Sequence, residues 1–486
     1  MIRHLLLMGT LSGLAWAQTP AAAPAAAAAK APTGPPPAPV KPALVLTLDR
    51  LLESVNRHYP SLLAALKERD IADGKLQAAQ GEFDLKLKSQ GLFDPKGYYT
   101  HRQYLTGLEQ PTQLWGTTFT GGYRLGRGSF SSSDITKLET LSAGEWRSGV
   151  RVPLLRDGPT DRRRTDLRLA GVGQQLADLT VAQQRILVTR AASRRYWDWV
   201  AAGKRYAIAR GLLELAQARA QQIKDSADAG QLAPIEVVEN ERLILNRQGT
   251  LVLADRILQA AAIELSLYWR SDVGEPQVPG PEQLPADFPE VASFDLKRLR
   301  EDVDLALQRR PELRELEAER EQSRLEARLA RNQLLPNVDV FFGYSRDVGS
   351  GRPILRPAEV ETGVLLEIPL QRRKAQGKLR AEQAKIEQID QKSRLARDRV
   401  VADIQDAYSA MQAAYERVQV ARQEVQVALR LEDAERTRFE LGDSTLFVVN
   451  LRELATADAA FLEVNAVADY HRFYADYLAA IAEAAR

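Results

Sequence analysis

Large apolar residues and alanines alternate on a 4-3-4-3 spacing along two long stretches of the chain, the spacing of a seam for close helix packing. The later stretch carries Ile404, Ala407, Met411, Ala414, Val418, Ala421, Val425 and Ala428. The earlier one carries Ala192, Arg195, Trp199, Ala202, Tyr206, Ala209, Leu213 and Ala216, in the same register 212 residues before. The same offset carries Gly230 onto Gly442, and a new helix is predicted after each glycine. So long a period describes two copies of one large unit rather than a small solenoid repeat. Each long helix is predicted to run on the order of 70 residues, to about Asp228 and about Leu441, or roughly 100 Å at 1.5 Å per residue. Helices of that length need partners along a rod, a coiled coil or a tube. Tyr408, Tyr415 and Leu429 recur on a heptad spacing beside the later seam. Two seams ask for two neighbours, which favours a closed ring of helices over an isolated pair.

Both halves follow one predicted order: helix, helix, strands, very long helix, turn, long helix. The first half opens at a cap in Thr47-Leu48-Asp49, breaks at His58-Tyr59-Pro60 and resumes to about Gly81. The second opens near Asp295, breaks at Arg310-Pro311 and resumes to Leu334-Leu335-Pro336. Proline disfavours helix in its predecessor and fits the first turn of a new helix, so each break marks two helix ends. Strand-like alternation comes next. Val338, Val340, Phe342 and Tyr344 share a face, as do Val360, Thr362, Val364, Leu366 and Ile368, with Glu361 and Glu367 opposite. One apolar and one wet side suit an ordinary sheet or a barrel facing lipid outward and water inward. In the first half Trp115, Thr117, Phe119, Gly121 and Tyr123 alternate likewise, and Val150 and Val152 flank Arg151. A Ser-rich loop, Ser129 to Ser133, separates them. The first half is longer here, and an additional hairpin is expected across Tyr98–Tyr123.

The N-terminus reads as a secretory signal: Arg3 and His4, an apolar run from Leu5 to Leu14, then Ala15-Trp16-Ala17, with cleavage expected before Gln18. Residues 18–43 form an Ala/Pro-rich spacer expected to be disordered. The expected divisions are then a first repeat over 44–270, a Pro-rich linker over 271–293 and a second repeat over 294–486. No later window offers the roughly 18 uninterrupted apolar residues of a membrane helix, so any membrane contact must be made by strands or at the surface.

Composition narrows the chemistry. With 66 basic and 64 acidic residues the formal charge is only +2, which gives no global field for nucleic acid. There is no cysteine, which excludes thiolate redox or metal chemistry and lipid attachment through a cysteine. None of the four histidines, His4, His58, His101 and His471, stands at metal-ligand spacing from another. No catalytic constellation and no phosphate-cradling loop is present, because Gly121-Gly122 and Gly126-x-Gly128 are explained as strand and turn glycines. Neither an enzyme nor a cofactor is expected.

In this order of elements the chain resembles the TolC-like outer-membrane efflux family over nearly all of residues 44–484. The resemblance rests on the paired Pro60 and Pro311 breaks, on Leu334-Leu335-Pro336 entering a strand, and on Pro153 and Pro369 closing strands. It also rests on the turns Ala229-Gly230-Gln231-Leu232-Ala233-Pro234 and Leu441-Gly442-Asp443-Ser444-Thr445-Leu446. It implies a mainly α fold with membrane β-structure: a homotrimer in which each protomer gives four strands to one shared β-barrel continuous with a long α-helical barrel. It further implies a passive export conduit in the outer membrane of a Gram-negative bacterium, serving tripartite efflux or type I secretion. The implied partners are outer-membrane lipid, a periplasmic adaptor protein and an inner-membrane pump. A structural periplasmic rod or surface-anchored coiled coil is the alternative, which would want the heptads but not the strands.

By the same resemblance, carboxylates past the turn glycine ring the periplasmic mouth. Glu236 holds the sixth position after Gly230, whereas Val448 departs from the acidic pattern after Gly442, and Glu239, Glu241 and Asp443 lie nearby. Glu236 and Asp443 could equally serve the positive end of a helix dipole. The basic runs Arg162-Arg163-Arg164 and Arg372-Arg373-Lys374 come after the strands in matching places and read either as headgroup contacts or as solvated helix starts.

Overall fold

The structure is a computed structural model that describes residues 45–131, 133, 138–293 and 295–483. The expected signal peptide and the Ala/Pro-rich spacer lie outside the described residues. The first half begins with α1 (Leu48–His58) and α2 (Pro60–Gln80). Thr47 caps α1 by accepting the Arg50 amide through its hydroxyl, and Pro60 starts α2 at a position whose amide would have no partner anyway. Four strands come next, β1 (Lys86–Asp94), β2 (His101–Pro111), β3 (Thr118–Gly128) and β4 (Glu145–Pro153), and then α3 (Arg162–Asp228) and α4 (Pro234–Ser266). The second half has α5 (Leu296–Arg309), α6 (Pro311–Asn332), β5 (Asn337–Asp347), β6 (Glu359–Glu367), α7 (Arg373–Glu440) and α8 (Leu446–Ala480). The expected long helices are therefore α3, with 67 residues, and α7, with 68.

Each half has its own core, built from equivalent helices. Leu51, Leu52 and Val55 of α1 pack on Ala192, Tyr196, Trp199 and Ala202 of α3 and on Leu258, Ala262 and Leu265 of α4. In the second half Ala306 of α5 packs with Ile404, Met411, Ala414 and Val418 of α7 and with Val467, Tyr470 and Tyr477 of α8. The alanine seams let the helices of one chain approach closely. Of the outer seam positions, Tyr408 and Tyr415 are partly buried on the second core, but Leu429 is exposed, as is Arg195 in the earlier seam. The linker straps both cores: Gln283 accepts the Leu46 amide at 2.9 Å, and Phe288 packs against both clusters.

The strands form one antiparallel sheet in the order β1-β2-β3-β4-β5-β6. Two sequence expectations change here. The additional hairpin is β2–β3, seated between β1 and β4, so the sheet has six strands rather than the four the resemblance implied. Trp115 and Thr117 are not strand residues. The segment turns between Thr112 and Thr117, whose backbones bond at 2.9 Å, and Trp115 takes a left-handed φ of 52° beside Gly116 at 66°. The apparent alternation ran through this turn because a tight turn can place an aromatic residue outward as a strand does.

Candidate functional site: a two-faced sheet and two helix-turn tips

The register assigns every strand residue to a face. On one face Leu87, Leu108, Gly121, Ser148, Tyr344 and Val360 form a row across all six strands. Adjacent rows carry Phe119, Val150, Phe342 and Thr362, then Val152, Val340 and Val364. Leu87, Phe119, Trp146, Phe342, Val360 and Val364 are exposed, which leaves an apolar surface that no other described residue covers. The opposite face is charged. One of its rows runs Lys86, Glu109, Thr120, Gly149, Gly343 and Glu361, and the next runs Lys88, Gly107, Gly122, Arg147, Ser345 and Glu359.

This charged face is concave and encloses a hollow of about 540 Å³ lined by Lys88, Glu109, Thr120, Arg147, Arg151, Arg163 and Glu361 among others. Curvature toward it is possible because glycines meet there. A Cβ on Gly122 would stand 2.8 Å from the Thr106 carbonyl oxygen, and one on Gly107 would stand 3.0 Å from that of Gly121. Side chains on the inner surface of a bend crowd first, and these positions have none. Arg124 and Glu145 pair across β3 and β4 at 2.6 Å on the same face, both nearly buried.

At the other ends of the long helices the two turns have the same geometry. Gly230 and Gly442 take φ of 75° and 82°. Their amides bond to Ala227 and Phe439, and the next amides bond back to Ser226 and Arg438. This left-handed helix stop favours glycine because a side chain is strained there.

The candidate acids have different surroundings. Glu236 sits half-buried in the first turn of α4. Glu239 is bonded to Arg242 at 2.6 Å, and that bond holds its carboxyl below the ordinary carboxylate range. Asp443 is exposed in the turn, and its carbonyl accepts from Arg438. Of the basic runs, Arg162 is tied to Asp166 and Glu326, and Arg164 is tied to Asp161 and to the carbonyls of Asp157 and Gly158. Both serve as internal clamps where strand becomes helix, whereas Arg372, Arg373 and Lys374 are exposed.

Sequence reading missed the charge cluster just above the tips. Glu453 of α8 is 1% exposed and accepts from Arg219 of α3 and from Arg247 of α4, the latter at 2.8 Å. Arg436 of α7 stands 3.9 Å away, and Arg219 also bonds Asn450 at 3.3 Å. Nearby, Glu435 of α7, also buried, accepts the Ser444 hydroxyl at 2.5 Å. A signal was available. At the 212-residue offset Arg219 and Arg247 stand against Leu431 and Ala459, so charge in the first half corresponds to apolar residues at the matching positions of the second.

Residues 303–484 match the outer membrane efflux protein family. No curated protein matches the chain in sequence. Solved structures share the fold. The CmeC outer membrane channel of Campylobacter jejuni is 12% identical with a TM-score of 0.61, over 90% of this chain and 86% of that one. The outer membrane protein VceC of Vibrio cholerae is 15% identical with a TM-score of 0.60, over 90% and 96%. The MtrE outer membrane channel of Neisseria gonorrhoeae, in its open state, is 14% identical with a TM-score of 0.60, over 90% and 89%. The mostly helical chain with its antiparallel sheet thus has the fold of outer-membrane efflux channels.

Proposed function

We propose that this chain, with the outer membrane efflux protein signature over residues 303–484 and the fold of outer-membrane channels, is one protomer of a passive export conduit in the outer membrane of a Gram-negative bacterium. The observation that carries the reading is the sheet: apolar and exposed outside, charged and concave inside, with β1 and β6 each paired on one edge only among the described residues. Unpaired strand edges are not tolerated in lipid, so the sheet closes by joining copies of itself. Three protomers make one barrel continuous with a tube of their long helices. Val238, Leu245 and Val252, exposed at heptad spacing on α4, supply an apolar seam for a neighbouring protomer.

Among the described residues no helix is long and apolar enough to cross a membrane, so the strands are the membrane-crossing part. The two halves are copies of one duplicated unit, and residues 1–17 direct export of the chain. The tips at Gly230 and Gly442 form the periplasmic mouth, where an adaptor protein and an inner-membrane pump dock and supply the energy. Glu236 contributes a ring of three carboxylates at that mouth. Glu239 is held by Arg242 and Asp443 lies beside the glycine, so both are secondary there. The chain itself performs no chemistry and carries no cofactor.

The test is purification in mild detergent, then mass measurement and reconstitution into planar bilayers. A trimer mass with discrete conductance steps is expected. A monomer mass, or a trimer that leaves the bilayer silent, would overturn the reading.

A further inference from the structure

We propose that all six strands of each protomer enter the barrel wall, so that the outer-membrane section is an eighteen-stranded barrel with a correspondingly wide aqueous bore. The proposal rests on the trimeric channel reading above and concerns what the β2–β3 hairpin does within it. A hairpin inserted between two membrane strands could instead stand outside the membrane as a flap over the pore. Four observations place it in the wall.

First, β2 and β3 each have 11 residues, the length of a strand that crosses a bilayer at a tilt. Second, both are paired on both edges: β2 with β1 over nine residue pairs from Lys86↔Glu109 to Asp94↔His101, and β3 with β4 from Thr118↔Arg151 to Arg124↔Glu145. Third, their two faces continue those of the flanking strands in register. Leu108 extends the outward row between Leu87 and Gly121, and Tyr104 and Leu125 face outward together, while Glu109, Leu105 and Arg124 lie on the charged side. A flap in water would have no reason to keep an apolar row continuous with the lipid-facing one.

Fourth, the turn between β2 and β3 lies at the helix-proximal rim. A Cβ on Gly158 would stand 2.8 Å from the Trp115 indole nitrogen, and one on Gly116 would stand 3.0 Å from the Pro153 ring. Pro153 ends β4 and Gly158 lies in the segment that joins β4 to α3, so the hairpin spans the full height of the sheet. Its connections to β1 and β4 lie at the far end, where Leu141 bonds to Asp347 at the end of β5 and Ser142 to Ser350 of the β5–β6 loop.

The consequence is geometric. With strands about 4.8 Å apart and tilted about 40°, eighteen strands close at a backbone diameter of roughly 36 Å, against roughly 24 Å for the twelve that β1, β4, β5 and β6 alone would give. Barrels of the larger class enclose water rather than a packed core. The charges of both signs on the concave face keep that bore wet, and it fits hydrated solutes wider than a twelve-stranded wall would pass.

The chain has no cysteine, so single-cysteine variants report cleanly. A fluorophore placed at Tyr104→Cys, Leu125→Cys or Leu105→Cys in trimers reconstituted into phosphatidylcholine vesicles would be challenged with a lipid-borne quencher and with iodide. Val364→Cys in β6 serves as the lipid-facing reference. Quenching from lipid at positions 104 and 125, as at 364, with quenching from water at 105, is expected. Iodide quenching at all three hairpin positions while 364 answers to lipid would place the hairpin outside the wall and overturn the proposal. A position 364 that answers only to iodide would bring down the channel reading itself. Electron cryo-microscopy of the unmodified trimer then counts strands directly: eighteen supports the proposal and twelve overturns it.

Discussion

The eighth residue of the returning helix is a glutamate in both halves, and the two glutamates have opposite surroundings. Glu241 in α4 is exposed, whereas Glu453 in α8, 212 residues later, is 1% exposed and bonded to Arg219 and Arg247. Both arginines belong to the first half. The cluster therefore joins the halves just above the tips. A buried ion pair is weak evidence of net stabilisation, because desolvation offsets much of the attraction. The contacts tie α3, α4 and α8 together at one buried point, with Arg436 of α7 3.9 Å away. The two halves thus differ at a few charged positions while keeping the same order of long helices.

The largest expected effect breaks that contrast. Glu453→Gln leaves two arginines facing a neutral group in a buried site, a change that typically costs about 3–5 kcal/mol. Glu241→Gln, on the solvated copy, should stay within about 0.5 kcal/mol. Thermal melting of the two variants, monitored by circular dichroism, measures the difference. Equal melting temperatures would mean that the two glutamates are equivalent and that the halves are not joined there.

The same contrast explains what the sequence could and could not convey. Helix starts and stops were legible because capping and proline chemistry are local: Thr47, Pro60, Asp295, Pro311, Gly230 and Gly442 all act where the pattern put them. The seams were legible because Ala202 and Ala414 lie on a helical period, and both are about 1% exposed. The extra hairpin was expected, but its place in the sheet was not legible. Nothing in a single strand's alternation tells whether its neighbour lies before or after it in the chain, and Trp115 extended the pattern into a turn. The cluster at Glu453 was hidden for a related reason. Arg219, Arg247, Arg436 and Glu453 lie on four helices, and their convergence is a property of packing that no spacing along one helix contains.

A second contrast between the halves concerns α8 and α4 further along. His471 is buried, stacked on Trp197 with ring centroids 4.4 Å apart and facing the Pro289 carbonyl at 3.3 Å, while Gln259 at the equivalent place in α4 is exposed. Burial among aromatic rings pushes the His471 imidazole down to about 4, with the Pro289 hydrogen bond opposing the shift. In the unfolded chain the imidazole takes up its proton near pH 6.5. Between those values the unfolded state binds more protons, so stability falls as pH drops from about 6.5 toward 4 and is fully present above that window. The full span corresponds to about 3 kcal/mol per protomer. His471→Phe should flatten this part of the pH–stability curve, whereas Gln259→Ala should leave it in place. Parallel curves for the parent and His471→Phe would show that another group sets the slope.

The smallest effect on stability is expected where the functional contrast is sharpest, at Glu236 and its counterpart Val448. Glu236 lies in the first turn of α4, where the positive end of the helix dipole favours an acid by typically 0.3–1 kcal/mol, so Glu236→Gln should lower stability by no more than about that amount. In the proposed trimer, three Glu236 carboxylates about 10 Å apart would repel only weakly in water, by about 0.4 kcal/mol per pair. That repulsion is too small to open the tube, but a trivalent cation at the centre would feel all three charges together. In planar bilayers Glu236→Gln should therefore weaken block by a hexamminecobalt ion applied from the helix-tip side, with unitary conductance and trimer mass unchanged. Val448→Glu adds a second acid at the matching turn of the other half and should strengthen the block, making the halves alike where they now differ. Block that is the same in the parent and both variants would reduce Glu236 to a helix-start residue and move the cation site away from the tips.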